Sequence, residues 1–112
     1  MLSEAQGCAV LRRVFERRGY TIEENVSFSE ENVVFNADGW DAARRVGYEF
    51  LTDEAEDHLD LPPERLAQLE VLTTQVHLHF FLVDEKQVDS EDDLAWAAQR
   101  FLGEVEKRRG TP

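Results

Sequence analysis

Between Tyr20 and Thr52 the chain alternates apolar and polar side chains in three short runs separated by turn-forming residues, and this pattern restricts the fold more than any other feature. In the last run Val46, Tyr48 and Phe50 alternate with Gly47, Glu49 and Leu51, the period of a strand with one face on a core. Tyr20 to Phe28 and Glu31 to Ala37 carry the β-branched and aromatic residues of two earlier strands, with Ser29-Glu30-Glu31-Asn32 as polar turn chemistry between them. Asp38-Gly39 is a strong turn dipeptide and is expected to reverse the chain into the third strand. An antiparallel meander over 20–52 follows.

Helical signals flank the meander. Ser3 with Gln6 forms a candidate capping box, and Cys8, Leu11 and Phe15, with Val10 and Val14, make an apolar stripe before Gly19, so a helix is expected over 4–18. Arg12, Arg13, Arg17 and Arg18 crowd its last two turns, where cations complement the helix dipole. Pro62 and Pro63 suit the first turn of a second helix whose apolar face is Leu66, Leu69 and Leu72, ending near Thr73. Residues 76–84 are apolar on both sides and are expected to form a fourth, central strand. Ser90 and Asp93 open a last helix with Leu94, Ala97, Ala98, Phe101 and Val105 on its buried side. The order α-β-β-β-α-β-α implies an α/β or α+β domain with a mixed sheet of about four strands, the crossover helix placing strand four parallel to a neighbour. One globular domain over 1–112 accounts for the whole sequence, with no repeat or linker inside it.

Charge bounds the partners. Twelve Lys and Arg against 24 Asp and Glu give a net charge of −12, a field that repels phosphate and argues against nucleic-acid binding while favouring a basic protein partner. With 42% hydrophobic residues the chain is globular in composition. Its single cysteine, Cys8, cannot close an internal disulfide, no segment is apolar enough to span a bilayer, and the first ten residues lack a basic, apolar leader, so a cytoplasmic protein is expected.

The stretch FNADGWDAARRVGYEFLT, residues 35–52, holds the densest polar chemistry. Asp38 and Asp41, with Glu49 on the next strand, are carboxylates that a hairpin would bring together, the donor set a hard divalent cation such as Mg²⁺ prefers. This stretch, in its order of elements, resembles the core of the PD-(D/E)xK nucleases. The resemblance implies a metal held by an acid near the second strand, Asp38 or Asp41, and by Glu49 on the third. The lysine of the motif would stand at position 51, which is leucine, so the resemblance implies either a metal-dependent nuclease-like enzyme with an altered site or a catalytically inactive relative. A purely structural account of the same residues has Asp38-Gly39 as the turn, Trp40 over a sheet edge and Glu49 paired with an arginine.

His77 and His79 fall on one side of the fourth strand at a spacing used by zinc ligands, with His58, Asp84 or Glu49 as candidates for a third position, although a polar patch covered by a helix is the favoured account of the pair. Cys8 sits on an apolar stripe and reads as a small core residue. No nucleophile elbow, glycine-rich phosphate loop or CxxC is present.

The function these observations favour is a small acidic protein-interaction module of inhibitor, immunity or regulatory type, requiring no cofactor. Asp53, Glu54, Glu56, Asp57 and Asp60 would engage the basic partner by complementary charge. Trp40, Tyr48 and Phe50 would serve as anchors if the sheet face were open.

Overall fold

The structure, a computed structural model, describes residues 2–30, 33–52, 63–76 and 78–109. Helix α1 spans Glu4–Arg17 and starts where Ser3 and Gln6 close the expected capping box, Ser3 Oγ accepting the Gln6 amide at 3.1 Å and Gln6 Oε1 accepting the Ser3 amide at 3.0 Å. It stops at Gly19, whose φ of 94° lets the amide turn back to the Glu16 carbonyl. Strands β1 (Glu23–Glu30), β2 (Val33–Asp41) and β3 (Val46–Leu51) form the antiparallel meander. Helix α2 (Pro63–Val76) crosses to β4 (His79–Asp84), which pairs parallel to β3, and a short 3₁₀ turn (Glu85–Gln87) leads to α3 (Glu91–Arg108). The sheet is four-stranded and mixed, in the order β1-β2-β3-β4, and with its three helices the chain is an α+β fold in the expected element order.

Helices cover both sheet faces. On one, α1 and α3 bury Leu11, Phe15, Leu94, Leu102 and Val105 against Val46, Tyr48 and Phe50. On the other, Leu69 and Leu72 of α2 pack on Phe28, Phe35, Trp40 and Phe80, with Trp40 stacked on Phe80 at 4.8 Å between ring centres. Trp40, Tyr48 and Phe50 are all buried, so these aromatics belong to the two cores. Phe101 lies at the rim, only partly buried, while Leu102 beside it is fully enclosed.

Two expectations are corrected. Strand β4 is an edge strand, and β3 is the central one, with all six of its residues buried and a partner on each side. Helices on both faces account for the apolar run Phe80–Val83 of β4, and that covering says nothing about whether a further strand pairs beside it. The reversal between β2 and β3 occurs at Ala42–Arg45, whereas Asp38 and Gly39 lie within β2, Gly39 pairing with Glu24 on one side and Tyr48 on the other. Asp41 builds the true turn. Its Oδ1 accepts the Arg44 amide at 3.0 Å, its carbonyl accepts the Arg45 amide at 2.7 Å, and Arg45 takes the left-handed conformation with φ of 58°. Asp38 instead marks a change of phase in β2. Val33, Phe35 and Ala37, at odd positions, share a core with Trp40, at an even one, and across the ladder Asn25 has φ of 53°. The β1–β2 ribbon therefore turns its faces over at Asp38.

Candidate functional site

That reversal brings the Asp38 side chain beneath α1. Asp38 is buried, its Oδ2 accepts the Phe50 amide at 2.7 Å, and its own amide donates to Glu49 Oε1 at 3.1 Å. One turn apart on the facing side of α1 stand Glu4 and Cys8, and a donor atom from each lies within 4.8 Å of one on Asp38 and of the other. Among the described residues this is the one group of three acids, thiols or imidazoles so close together. Burial, then the charges of Asp38 and Glu4, push the Cys8 thiol well above its usual range, so it is a protonated thiol within hydrogen-bonding reach of Asp38.

The three groups line an open groove of ≈ 820 Å³ between α1 and the β1–β2 ribbon, walled by Arg12, Glu24 and Asn25. Arg12 bonds both Glu16, at 3.2 Å, and Glu24, tying the helix to β1 across the groove mouth. In the core beneath α1 the Tyr48 ring lies edge-on to Phe15 at 5.0 Å. Its hydroxyl is buried with no hydrogen-bond partner. Burial, the largest cause, with the carboxylates of Glu24 and Asp38 adding to it, holds this phenol above its ordinary range.

The three carboxylates expected to share a metal are placed differently from one another. Asp38 and Glu49 meet through the Asp38 amide, while both oxygens of Asp41 accept backbone amides, Oδ2 from Thr21, ahead of β1, at 2.8 Å and Oδ1 from Arg44, in the turn, at 3.0 Å. His79 opens β4 and is buried, its amide bonded to the Arg45 carbonyl. His58, His77 and the acidic residues Asp53, Glu54, Glu56, Asp57 and Asp60 lie outside the described residues. The sequence pointed to Asp38 but not to its companions. The i, i+4 spacing of Glu4 and Cys8 signals a shared helix face, yet nothing local ties that face to a residue 30 positions later.

Charge is sorted along the sheet. At the start of β3 the ends of α1 and α3 converge on the 42–45 turn: Arg18 holds Glu106 in a two-pronged pair, Arg109 donates to the Arg44 and Arg45 carbonyls, and Arg44 lies 5.0 Å over the Tyr20 ring. Arg17, Arg18, Arg44, Arg45, Lys107, Arg108 and Arg109, seven of the chain's twelve bases, belong to the turn and to the two helix ends beside it, and two of them are paired, Arg18 with Glu106 and Arg45 with Glu30. At the far end of β3, Leu51 pairs with Asp84, after which Asp84, Glu85, Asp89, Glu91, Asp92 and Asp93 set six acids against the single base Lys86. Asp89, Glu91, Asp92 and Asp93 are exposed. From this same end the chain leaves β3 toward residues 53–60.

No family model, curated protein or solved structure matches this chain. No helix among the described residues is long and apolar enough to cross a membrane.

Proposed function

We propose that this protein is a cytoplasmic interaction module that docks its acidic end onto a cationic site of a partner protein, in the manner of inhibitory, immunity and regulatory proteins. The separation of charge along β3 carries this reading. Six residues of strand place the two ends about 17 Å apart, roughly twice the Debye length of about 8 Å at physiological ionic strength, so a partner approaching the 84–93 end is steered by that end and hardly feels the basic one. Carboxylates in the first turn of α3 also suit the helix dipole and Asp84 caps the 3₁₀ turn through the Lys86 amide, but neither accounts for Asp89 or for the acids Asp53, Glu54, Glu56, Asp57 and Asp60 that continue the sequence from β3.

Metal-dependent phosphodiester chemistry at Asp38, Asp41 and Glu49 has less support. Both Asp41 oxygens accept backbone amides, from Thr21 and Arg44, and leucine stands at position 51 where the resemblance calls for a charge-stabilising lysine.

The test compares wild type with a variant carrying Asp89→Asn, Glu91→Gln, Asp92→Asn and Asp93→Asn, alone and combined with amides at Asp53, Glu54, Glu56 and Asp57. Each protein is immobilised, exposed to host lysate at low and raised salt, and the captured protein is then purified for association kinetics. A basic protein, bound by wild type with a steep salt dependence and by the combined variant more slowly and with a shallower one, is the expected result. A partner that binds the combined variant with an unaltered rate and salt slope sinks the proposal.

A further inference from the structure

We infer that the open edge of β4 is an interface for a second copy of this chain: two β4 strands pair antiparallel about a two-fold axis beside Phe81 and join the two four-stranded sheets into one. The inference does not rest on the docking of the acidic end. The two edges of the sheet are built differently. β1 carries Glu23, Glu24 and Glu30 and has the left-handed Asn25 within it, the charges and irregularity that keep another chain from adding to an exposed edge. β4 has neither between His79 and Asp84. There it runs Phe80-Phe81-Leu82-Val83, without a charge, a proline or a left-handed residue, and no strand lies beside it among the described residues. Phe81 and Leu82 are only partly buried, as is Phe101 of α3, whose ring centre lies 5.1 Å from that of Phe81. Along this edge α2 and α3 leave a groove of ≈ 460 Å³, with Leu69 on one wall and Phe101 and Arg108 on the other.

Backbone geometry sets the register. The His79 amide donates to the Arg45 carbonyl, so by the alternation of a parallel ladder Phe81 and Val83 also bond toward β3, while the amides and carbonyls of Phe80 and Leu82 point out of the sheet. The Asp84 amide, next in that outward series, is already taken by Gln87 Oε1 at 2.9 Å, which closes the edge at that end. Phe80 and Leu82, flanking Phe81, are therefore a self-complementary set. With Phe81 opposite its own copy, Phe80 of each chain exchanges N–H···O bonds with Leu82 of the other. The Phe81 and Phe101 rings of both chains then meet across the axis on the α3 face, and the Leu82 side chains close the α2 face.

Charge selects a second copy as the occupant. β4 starts at the basic end, where Lys107, Arg108 and Arg109 finish α3, and it finishes at the acidic end, where Asp84 and Glu85 lead to Asp89 and the carboxylates that open α3. Antiparallel pairing sets the basic start of each strand beside the acidic finish of the other, twice over, and a parallel pair would set like charge against like. The net charge of −12 on each chain works against association, and this matching offsets it at the seam.

Sedimentation equilibrium of the purified protein over about a 100-fold range of concentration reads the association. No other protein is present, so the outcome is separate from that of the lysate capture. A monomer–dimer equilibrium is the expected result. Leu82→Lys places an ammonium group in the apolar seam and weakens the dimer about 100-fold, and Arg108→Glu, which reverses a charge at its basic end, weakens it about 10-fold. Circular dichroism of both variants should match that of wild type. Because Leu82→Lys could disturb the packing of α2, amide exchange in the wild-type protein provides a second measurement. The Phe80 and Leu82 amides should exchange about 10-fold faster or more once the dimer is diluted to monomer, while those of Phe81 and Val83, held by β3, keep their rates. A wild type that stays monomeric at about 1 mM, a dimer whose Phe80 and Leu82 amides exchange at the monomer rate, or a folded Leu82→Lys variant that dimerises as tightly as wild type overturns the proposal.

Discussion

Gly39 of β2 lies directly across from Tyr48 of β3, and a Cβ at Gly39 would stand 2.2 Å from Cζ of the tyrosine ring. Both residues sit in ladders with neighbours on either side, so neither backbone can retreat, and the ring is enclosed by Phe15. Gly39→Ala is therefore expected to cost about 3 kcal/mol, the upper part of the range for overpacking a core. Urea denaturation measures it. A loss under about 1 kcal/mol would show that the ring moves aside freely, and Gly39→Ala combined with Tyr48→Leu should recover part of the loss if the clash is its cause.

This pairing explains why Asp38-Gly39 misleads a reader of the sequence. The dipeptide has the composition of a hairpin turn, but here the glycine is needed for space under Tyr48 and the aspartate for a bond to Phe50, both long-range demands. The real turn, Ala42–Arg45, contains neither glycine nor asparagine and rests on the Asp41 side chain. Helix starts were legible because caps are local: Ser3 with Gln6 and Ser90 with Asp93 make the bonds their spacing predicts. The parallel placement of β4 was legible from its crossover helix, but its edge position was not, since α2 and α3 bury its two faces whatever lies beside it. The groove residues escaped notice for the same reason as the phase change at Asp38: each depends on which sheet face meets α1.

The last helix provides a sharper test of packing. Its stripe is rotated from the expected one, with Leu94, Ala98, Leu102 and Val105 buried and Phe101 at the rim against Phe15 and Phe81. Leu102→Ala should cost about 3–5 kcal/mol, and Phe101→Ala, whose ring keeps contact with water, about 1–2 kcal/mol despite the larger truncation. The reverse ranking in thermal or urea unfolding would place the helix in the other rotation.

Asp41 makes a prediction that separates a structural carboxylate from a metal ligand. Asp41→Ala strips the Thr21 and Arg44 amides of their acceptor and should cost about 1–3 kcal/mol, whereas Asp41→Asn retains one acceptor oxygen and should cost less. Equal stability of Asp41→Ala and wild type would mean that the turn holds without these bonds.

Alkaline stability tests the burial of Cys8 and Tyr48. Cys8 and Tyr48 both have their proton affinity raised on folding, chiefly by burial, so over the window in which the unfolded chain ionises and the native one does not, the unfolded state binds fewer protons and stability falls as pH rises. That window opens at the ordinary thiol value of about 8.5 for Cys8 and at about 10 for Tyr48, and below both the contribution is fully present. Wild type should therefore lose stability progressively above about pH 8.5. Cys8→Ala should delay the onset to about pH 10, and Tyr48→Phe should remove the second component. At neutral pH Tyr48→Phe should leave stability unchanged or raise it by up to about 1–3 kcal/mol, because it deletes a buried hydroxyl that has no partner. Urea midpoints of the two variants and wild type between about pH 7 and 11 measure all three effects. A Tyr48→Phe loss above about 1 kcal/mol at pH 7 would show that the hydroxyl is satisfied in the folded protein, and a flat wild-type profile would show that Cys8 and Tyr48 ionise in the folded chain as readily as in the unfolded one.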